Sequence, residues 1–327
     1  VRRFVHFGHL AVAGSRQRLR EFMTEESHRF DVATIGNYTK DTIVTAAGTT
    51  HADGGGVNYS ANAALALGRK VAAVMRLAAE DFHVVRALED VGITVFATAT
   101  PSSTLMRLEY PTDNPDERIL TVADHAGSFT PEQVQDIDAA AFIISPSFRG
   151  EMPVETVRAL REKGAMISAD AQGFIRHRHP DGRLEHLPWP EQDEVLGLID
   201  ILKADVVEAN AMTGAADIKK SAEILAAQGP REVIITHRDG IVLLANGEFL
   251  EADFHAESML GRSGRGDTCV GSYVAARLEH PPEEALRWSA AVTSLKVAVP
   301  GPIRRSFEDI LDLVNEKYRE TAVSGSV

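Results

Sequence analysis

An α/β fold, a mostly parallel sheet with helices on both faces, is the class this chain predicts, and three observations lead there. Short β-branched runs alternate with helical patterns from Asp31 onward. Most of these units have strand–helix–strand spacing, which obliges parallel pairing through crossovers. No fixed-period repeat, coiled-coil pattern or low-complexity linker interrupts the alternation, so residues 23–327 read as one domain.

The first strand is read at 31–35. Gly54-Gly55-Gly56 then opens an alanine-rich helix at 59–67, which stops at Gly68. A strand at 71–75, a helix at 81–90 and a strand at 93–97 follow. Segments 105–110 and 118–122 flank a Pro/Asp/Asn turn and read as a β-hairpin. The alternation resumes with strand 141–145, helix 154–163 and strand 165–169, then strand 199–202, helix 218–227 and strand 232–236. A second hairpin joins 241–244 to 248–251 through Asn246-Gly247. Helices at 268–279, 282–297 and 307–318 close the chain. The stretch 176–190, rich in His, Pro, Arg and Asp, is the longest expected loop.

Bulk properties exclude several functions. The chain has 327 residues, 44% hydrophobic and 25% charged, with a formal net charge of -13. That sign disfavours sequence-independent nucleic-acid binding, which needs basic surface. A nucleotide site remains open, because amides, one metal ion and one cation suffice there. The single cysteine, Cys269, excludes an intramolecular disulfide and fits a reducing, cytoplasmic setting. No apolar run approaches the roughly 20 residues needed to cross a bilayer. Residues 1–22 differ from the rest: five arginines stand against the single acid Glu21. They read as an atypical arm, disordered or not native, with Met23 as an alternative start, and are set aside from the fold.

The segment with most chemical content is Gly261-Arg262-Ser263-Gly264-Arg265-Gly266-Asp267-Thr268-Cys269, placed just before an apolar-periodic helix. The first N–H groups of a helix lack carbonyl partners and carry the positive end of its dipole. Glycines let an anion approach that backbone. Asp267 at this point is either an ordinary cap or a general base beside an anion cradle. No Gly-x-x-x-x-Gly-Lys-[Ser/Thr] occurs, and glycines 261, 264 and 266 have the wrong spacing and place for a dinucleotide fingerprint. His177, His179 and His186 cluster in the long loop, where solvated surface is the plainer reading than a permanent metal site.

Here the residues carry a resemblance. Gly264-Arg265-Gly266-Asp267-Thr268 resembles the C-terminal Gly-Ala-Gly-Asp signature of ribokinase-like (PfkB) carbohydrate kinases. Gly36-Asn37-Tyr38-Thr39-Lys40-Asp41 is similar to that family's first-strand Gly-x-x-x-x-Asp segment, and Gly54-Gly55 with Leu67-Gly68 to its N-terminal Gly-Gly signature. Lys203-Ala204-Asp205-Val206-Val207-Glu208 resembles its Asn-x-x-Glu segment. The likeness spans 31–318. Asp170-Ala171-Gln172-Gly173-Phe174-Ile175-Arg176 is further similar to the myo-inositol (cyclitol) kinase branch. There are departures: Arg265 for alanine, Gly261 for an acid, Asp205 for asparagine, and Tyr59 where many sugar kinases carry asparagine.

The resemblance implies a three-layer ribokinase-like sandwich and a small-molecule kinase using ATP and Mg²⁺. It implies Asp267 as base, with an anion hole at Gly264, Arg265 and Gly266. Asn37, Asp41, Gly54, Gly55, Asn58, Asp170 and Gln172 would bind the acceptor, and Lys203, Thr236 and Gly240 the nucleotide. Asp205 and Glu208 would order the metal through water. The short interval from Asp41 to Gly54 predicts a reduced β lid, with the 105–122 hairpin as partial substitute, an open site and no lid-mediated dimer. The acceptor expected first is myo-inositol or a related cyclitol. A ribokinase- or fructokinase-type sugar kinase and a nucleoside kinase are the alternatives, and Tyr38 and Tyr59 are the candidates to stack a base. A non-catalytic sugar- or nucleotide-binding sensor on the same fold is the reading from a different class. Neither nucleic acid nor membrane is expected as a partner, and the oligomeric state stays open.

Overall fold

The computed structural model describes residues 30–112, 118–258, 260–261 and 263–318; the arm read at 1–22 lies outside them. β1 (Phe30–Ile35) is buried along nearly its whole length, as a strand covered on both faces must be. The chain then leaves the main sheet for β2 (Thr39–Thr45) and β3 (Gly48–Gly54). It returns through α1 (Gly56–Ala66) to β4 (Val71–Ala78) and crosses by α2 (His83–Glu89) to β5 (Thr94–Thr100). β6 (Thr104–Glu109) and β7 (Ile119–Asp124) again lie apart. β8 (Ala139–Ile144), α3 (Val154–Arg161) and β9 (Met166–Asp170) resume the alternation.

After α4 (Gln172–Ile175), the segment expected as a long loop folds into an antiparallel pair, β10 (Arg176–Arg178) with β11 (Leu184–His186). Next come α5 (Gln192–Leu196), β12 (Ile201–Asp205), α6 (Val206–Thr213), α7 (Ile218–Ala226), β13 (Glu232–Thr236), β14 (Gly240–Ala245) and β15 (Glu248–Asp253). The last helices are α8 (Arg265–Arg277), α9 (Pro282–Val297) and α10 (Phe307–Lys317).

Nine strands form the main sheet in the order β15-β14-β13-β12-β9-β8-β1-β4-β5. Pairing is parallel from β5 to β13, and β14 and β15 add an antiparallel edge. One apolar cluster joins the sheet to α1, α8, α9 and α10 through Val57, Ala61, Val270, Val274 and Ala290. A second joins its other face to α3, α5 and α7 through Val157, Leu160, Val195 and Leu225. The result is the expected three-layer α/β/α sandwich.

The lid is larger than the sequence reading. Asp41 does not end the first strand but sits inside β2, paired with Ala52 of β3 and Met106 of β6. The interval to Gly54 therefore holds a complete hairpin, in register from Thr39–Gly54 to Thr45–Gly48. β2 also pairs parallel with β6, and a four-stranded sheet, β3-β2-β6-β7, lies beside the main one. Two full strands fit because each residue of strand adds about 3.3 Å and a two-residue turn closes them. Met106, Leu108, Leu120 and Val122 make the small core of this sheet with Phe148.

α8 carries Asp267, so its placement fixes the site. Gly271 lets α8 lie on α1: a Cβ there would stand 2.6 Å from the Ser60 Cα. Ser289 of α9 donates to the Cys269 carbonyl at 2.8 Å. At the far end the Tyr273 hydroxyl donates to Glu232 Oε2 at 2.5 Å, and Arg277 pairs with Oε1 at 2.8 Å. Removing a buried hydrogen bond to a charged acceptor costs about 1.5–3 kcal/mol. Tyr273→Phe should therefore lower stability by about that amount in a denaturant titration, with the fold retained.

Candidate active site

The carboxyl ends of the parallel strands and the lid sheet enclose a cavity of about 490 Å³. Asp205 ends β12 and Thr236 ends β13, while Ser147 follows β8 and Gln172 follows β9; all four reach its wall. Ligands of open α/β sheets bind at this edge because helix N-termini and loops converge there.

Asp267 lies in the first turn of α8, whose cap is Gly264 at φ 74, a left-handed conformation that favours glycine. Thr268 N donates to the Gly264 carbonyl at 2.9 Å, so the N–H groups of Arg265, Gly266 and Asp267 precede the first helical bond. Gln172 Nε2 donates to Asp267 Oδ1 at 3.2 Å. Gly56, at the start of α1, lies so close that a Cβ would stand 2.5 Å from the same oxygen. Two helix N-termini therefore meet at one carboxylate. Burial raises the Asp267 pKa, with Lys203, Arg176 and Lys296 pulling against it. A raised carboxylate accepts a proton more readily.

Beside this cradle is a buried charge cluster. Lys203 Nζ pairs with Asp170 Oδ2 at 3.0 Å and Glu208 Oε2 at 3.7 Å. It also lies under Gly266, where a Cβ would stand 2.4 Å from Nζ. Arg176 pairs with Glu208 Oε1 at 3.1 Å. Burial disfavours the Glu208 charge, but Lys203 and Arg176 outweigh it and hold the group down at about 2. Burial raises Asp170 in spite of Lys203.

Asp205 and Glu208 cap α6 reciprocally: Glu208 N donates to Asp205 Oδ1 and Asp205 N to Glu208 Oε2, both at 2.8 Å. Both oxygens of Glu208 are thus engaged, by the Asp205 N–H, Lys203 and Arg176, while the residue lines the cavity beside Asp205. Asp205 lines the cavity, with Oδ1 taken by the cap, and suits Mg²⁺ held through water. Among the described residues no group of three His, Cys, Asp or Glu has the arrangement to hold a metal ion by itself.

On the lid side, Asp41 lines the cavity and lies against Gly54, where a Cβ would stand 2.2 Å from Asp41 Oδ2. Its Oδ1 is buried without a hydrogen-bond partner, so a polyol hydroxyl donated there would satisfy it. Gly55, at φ 93, also reaches the wall. Five expected residues do not, Gly54 and the four that follow. Asn37 is buried and donates to the Gly127 carbonyl and to Glu151 Oε1, both at 2.9 Å. Asn58 donates to the Asp53 carbonyl at 3.2 Å. Gly240 opens β14 with its Cα packed on the Ala252 carbonyl. Asp170 sits beneath Lys203 rather than on the wall.

The sequence reading left out Gly56, Arg118, Arg183, Leu108, Leu120 and Lys296, and gave His186 to solvated surface. All but Lys296 line the cavity. The β-branched pattern Thr39-x-x-Thr42-Ile43-Val44 was the available signal for β2. Arg265 lines the cavity with its guanidinium over the Phe254 ring, 5.9 Å from the centroid.

Residues 30–309 match the pfkB carbohydrate kinase family. The chain belongs to that family. A cytidine kinase of Thermococcus kodakarensis is 28% identical over 270 residues, 79% of this chain and 92% of that one. A pyrophosphate-dependent kinase in the ribokinase family, complexed with a pyrophosphate analog and myo-inositol, is 31% identical. It superposes with a TM-score of 0.80 over 86% of this chain and 99% of that one. A second structure, also 31% identical with a TM-score of 0.80 over 88% and 99%, is a pyrophosphate-dependent myo-inositol-1 kinase. An Asn-to-Leu and a Ser-to-Leu substitution converted that one into a myo-inositol-3 kinase. Among the described residues no helix is long and apolar enough to cross a membrane.

Burial, with the Asp267 and Asp53 charges adding and the Thr39 hydroxyl opposing, pushes Asp41 up to about 7. A carboxylate holding acceptor hydroxyls must be ionised to accept two of them. kcat/KM for the acceptor should therefore fall as the pH drops below about 7. A profile flat down to pH 5 would remove Asp41 from the acceptor site.

Proposed function

We propose that this chain phosphorylates a hydroxyl of a cyclitol, with myo-inositol the first candidate and Asp267 the general base. One observation carries the reading. A carboxylate with a raised pKa stands in the first turn of α8, ahead of the first helical hydrogen bond and across a cavity from the acceptor-side carboxylate Asp41. Asp41 and the backbone at Gly55 would hold the ring's hydroxyls. Gln172 fixes Asp267 Oδ1, leaving the other oxygen for the attacking hydroxyl. As the acceptor oxygen bonds to phosphorus and the donor P–O bond breaks, the hydroxyl proton passes to Asp267. The Arg265–Asp267 amides would hold the charge spread over the transferring group, and Lys203 and Arg176 that of the departing phosphate. Asp205 would hold Mg²⁺ through water, and the ion when bound would supply positive charge against the phosphates.

The donor reading departs from ATP. Lys203, Arg118, Arg176, Arg183 and Arg265 all line the cavity, a density of fixed charge that suits a compact polyanion. The likeness to a pyrophosphate-dependent kinase supports the same choice. We therefore assign inorganic pyrophosphate as donor, with ATP the competing outcome.

The cytidine kinase relative supports a nucleoside acceptor, but both tyrosines that could stack a base are otherwise engaged. Tyr38 is buried with its hydroxyl donating to Asp53 Oδ1 at 2.6 Å. Tyr59 packs its ring on Gly264, with Lys296 Nζ 5.0 Å from the ring centroid. An intact base in the cradle also weighs against a pure sensor.

Regiochemistry follows from the lid. The 1- and 3-hydroxyls of myo-inositol are mirror-related, so the walls decide which one meets Asp267. Leu108 and Leu120 pair across β6 and β7 and both line the cavity. Two introduced leucines redirect the neighbouring kinase from position 1 to position 3, and by that likeness the 3-hydroxyl is the acceptor here.

Asp267→Asn should lower kcat about 10²–10⁴-fold while donor binding persists. Near-normal turnover would overturn the mechanism, and turnover with ATP but not pyrophosphate would overturn the donor. In the active enzyme, Leu108→Asn with Leu120→Ser should shift product from the 3- toward the 1-phosphate on chiral separation. An unchanged enantiomer ratio would remove the lid from the selection.

A further inference from the structure

One fully buried cation beside the cradle has no part in the steps above. Lys296 stands near the end of α9 with no exposed side-chain surface. Its ammonium donates to two backbone carbonyls, those of Gly261 and Ser263. Its hydrogen-bond partners are therefore neutral oxygens of one loop rather than a carboxylate. That loop leads directly into Gly264, the left-handed cap of α8.

The loop is tied to α9 at other points as well. Gly261 N donates to the Val297 carbonyl at 2.8 Å, and Gly261 is packed so tightly that a Cβ would meet the Val299 carbonyl oxygen. On its other side Lys296 faces the Tyr59 ring, 5.0 Å from Nζ, and that same ring packs against Gly264. The ammonium thus lies among carbonyl oxygens and an aromatic face, the surroundings that hold a small monovalent cation. An apolar side chain of the same length would fill the space without burying a charge, so packing alone does not call for lysine.

We propose that Lys296 is a positioning residue for phosphoryl transfer, its ammonium acting as a built-in monovalent cation that holds the Gly261–Gly264 loop and sets the anion cradle. Asp267 and Lys296 act on each other electrostatically, so the charge also bears on the base. Because the site is filled by the chain itself, turnover needs no added potassium or ammonium. The inference rests on the kinase reading, which wild-type turnover and its loss in Asp267→Asn test separately.

The test is Lys296→Met in the full chain, assayed with myo-inositol and the donor that the wild type uses. A cradle set wrongly loses transition-state contacts, so kcat should fall about tenfold or more with KM for the acceptor within about twofold. Ammonium or potassium chloride should then restore kcat in a saturable way, and sodium chloride at equal ionic strength should restore less. Wild-type kcat should be indifferent to the choice among the three salts. Full turnover in the variant, or a folded variant that no cation rescues, would overturn the proposal. If Lys296→Met fails to unfold cooperatively, the wild-type salt series decides alone: indifference supports the built-in cation, and severalfold activation by potassium or ammonium refutes it.

Discussion

Lys203 is the group on which the site's electrostatics depend. It stands at the middle of β12 with its ammonium buried among Asp170, Glu208 and the underside of Gly266. An unpaired charge at that depth would cost several kcal/mol, so the two carboxylates and the cation must be present together. Arg176 completes the balance by taking the remaining oxygen of Glu208. The cluster places positive charge directly below the first turn of α8, where the helix already presents its N–H groups. Backbone and side-chain charge thus converge there from different elements, as the proposed anion cradle requires.

The same arrangement explains why Asp267 can remain a carboxylate in a buried setting while still favouring a proton. Burial raises its pKa, and Lys203, Arg176 and Lys296 restrain the rise. A base wholly stabilised by ion pairs would be too weak, and one wholly desolvated would already be protonated. Close packing supplies the geometry. Gly56, Gly264 and Gly266 each accept a side chain of another element into the space of their missing Cβ. A methyl group at any of them would displace the base, Tyr59 or Lys203.

Much of this was legible in the chain. The alternation of β-branched runs and helices gave the sandwich, because strands covered on both faces and helices with one apolar stripe leave distinct patterns. The run from Gly261 to Cys269 left Asp267 as either a cap or a base, and the family resemblance made the base the reading proposed here. What local pattern failed to reveal was partnership. Asn37 and Asn58 read as substrate ligands but spend their amides on Glu151, Gly127 and Asp53. Glu208 read as a metal-ordering acid and is the partner of two cations. The lid was read as reduced because the interval from Asp41 to Gly54 is short, yet Asp41 lies inside a strand whose tight hairpin fits that interval.

By itself the sequence determined the layer architecture, through the alternation of its strands and helices, and the family, through several motifs that keep their order along the chain; it also singled out Asp267 as the proposed base. Only the tertiary structure decided which charges neutralise one another, that β2 and β6 join two hairpins into one lid sheet, and that a lysine on α9 reaches a loop more than thirty residues earlier. These are contacts between distant segments, set by packing and by the cost of leaving a buried charge unpartnered. No window along the chain contains both halves of such a contact.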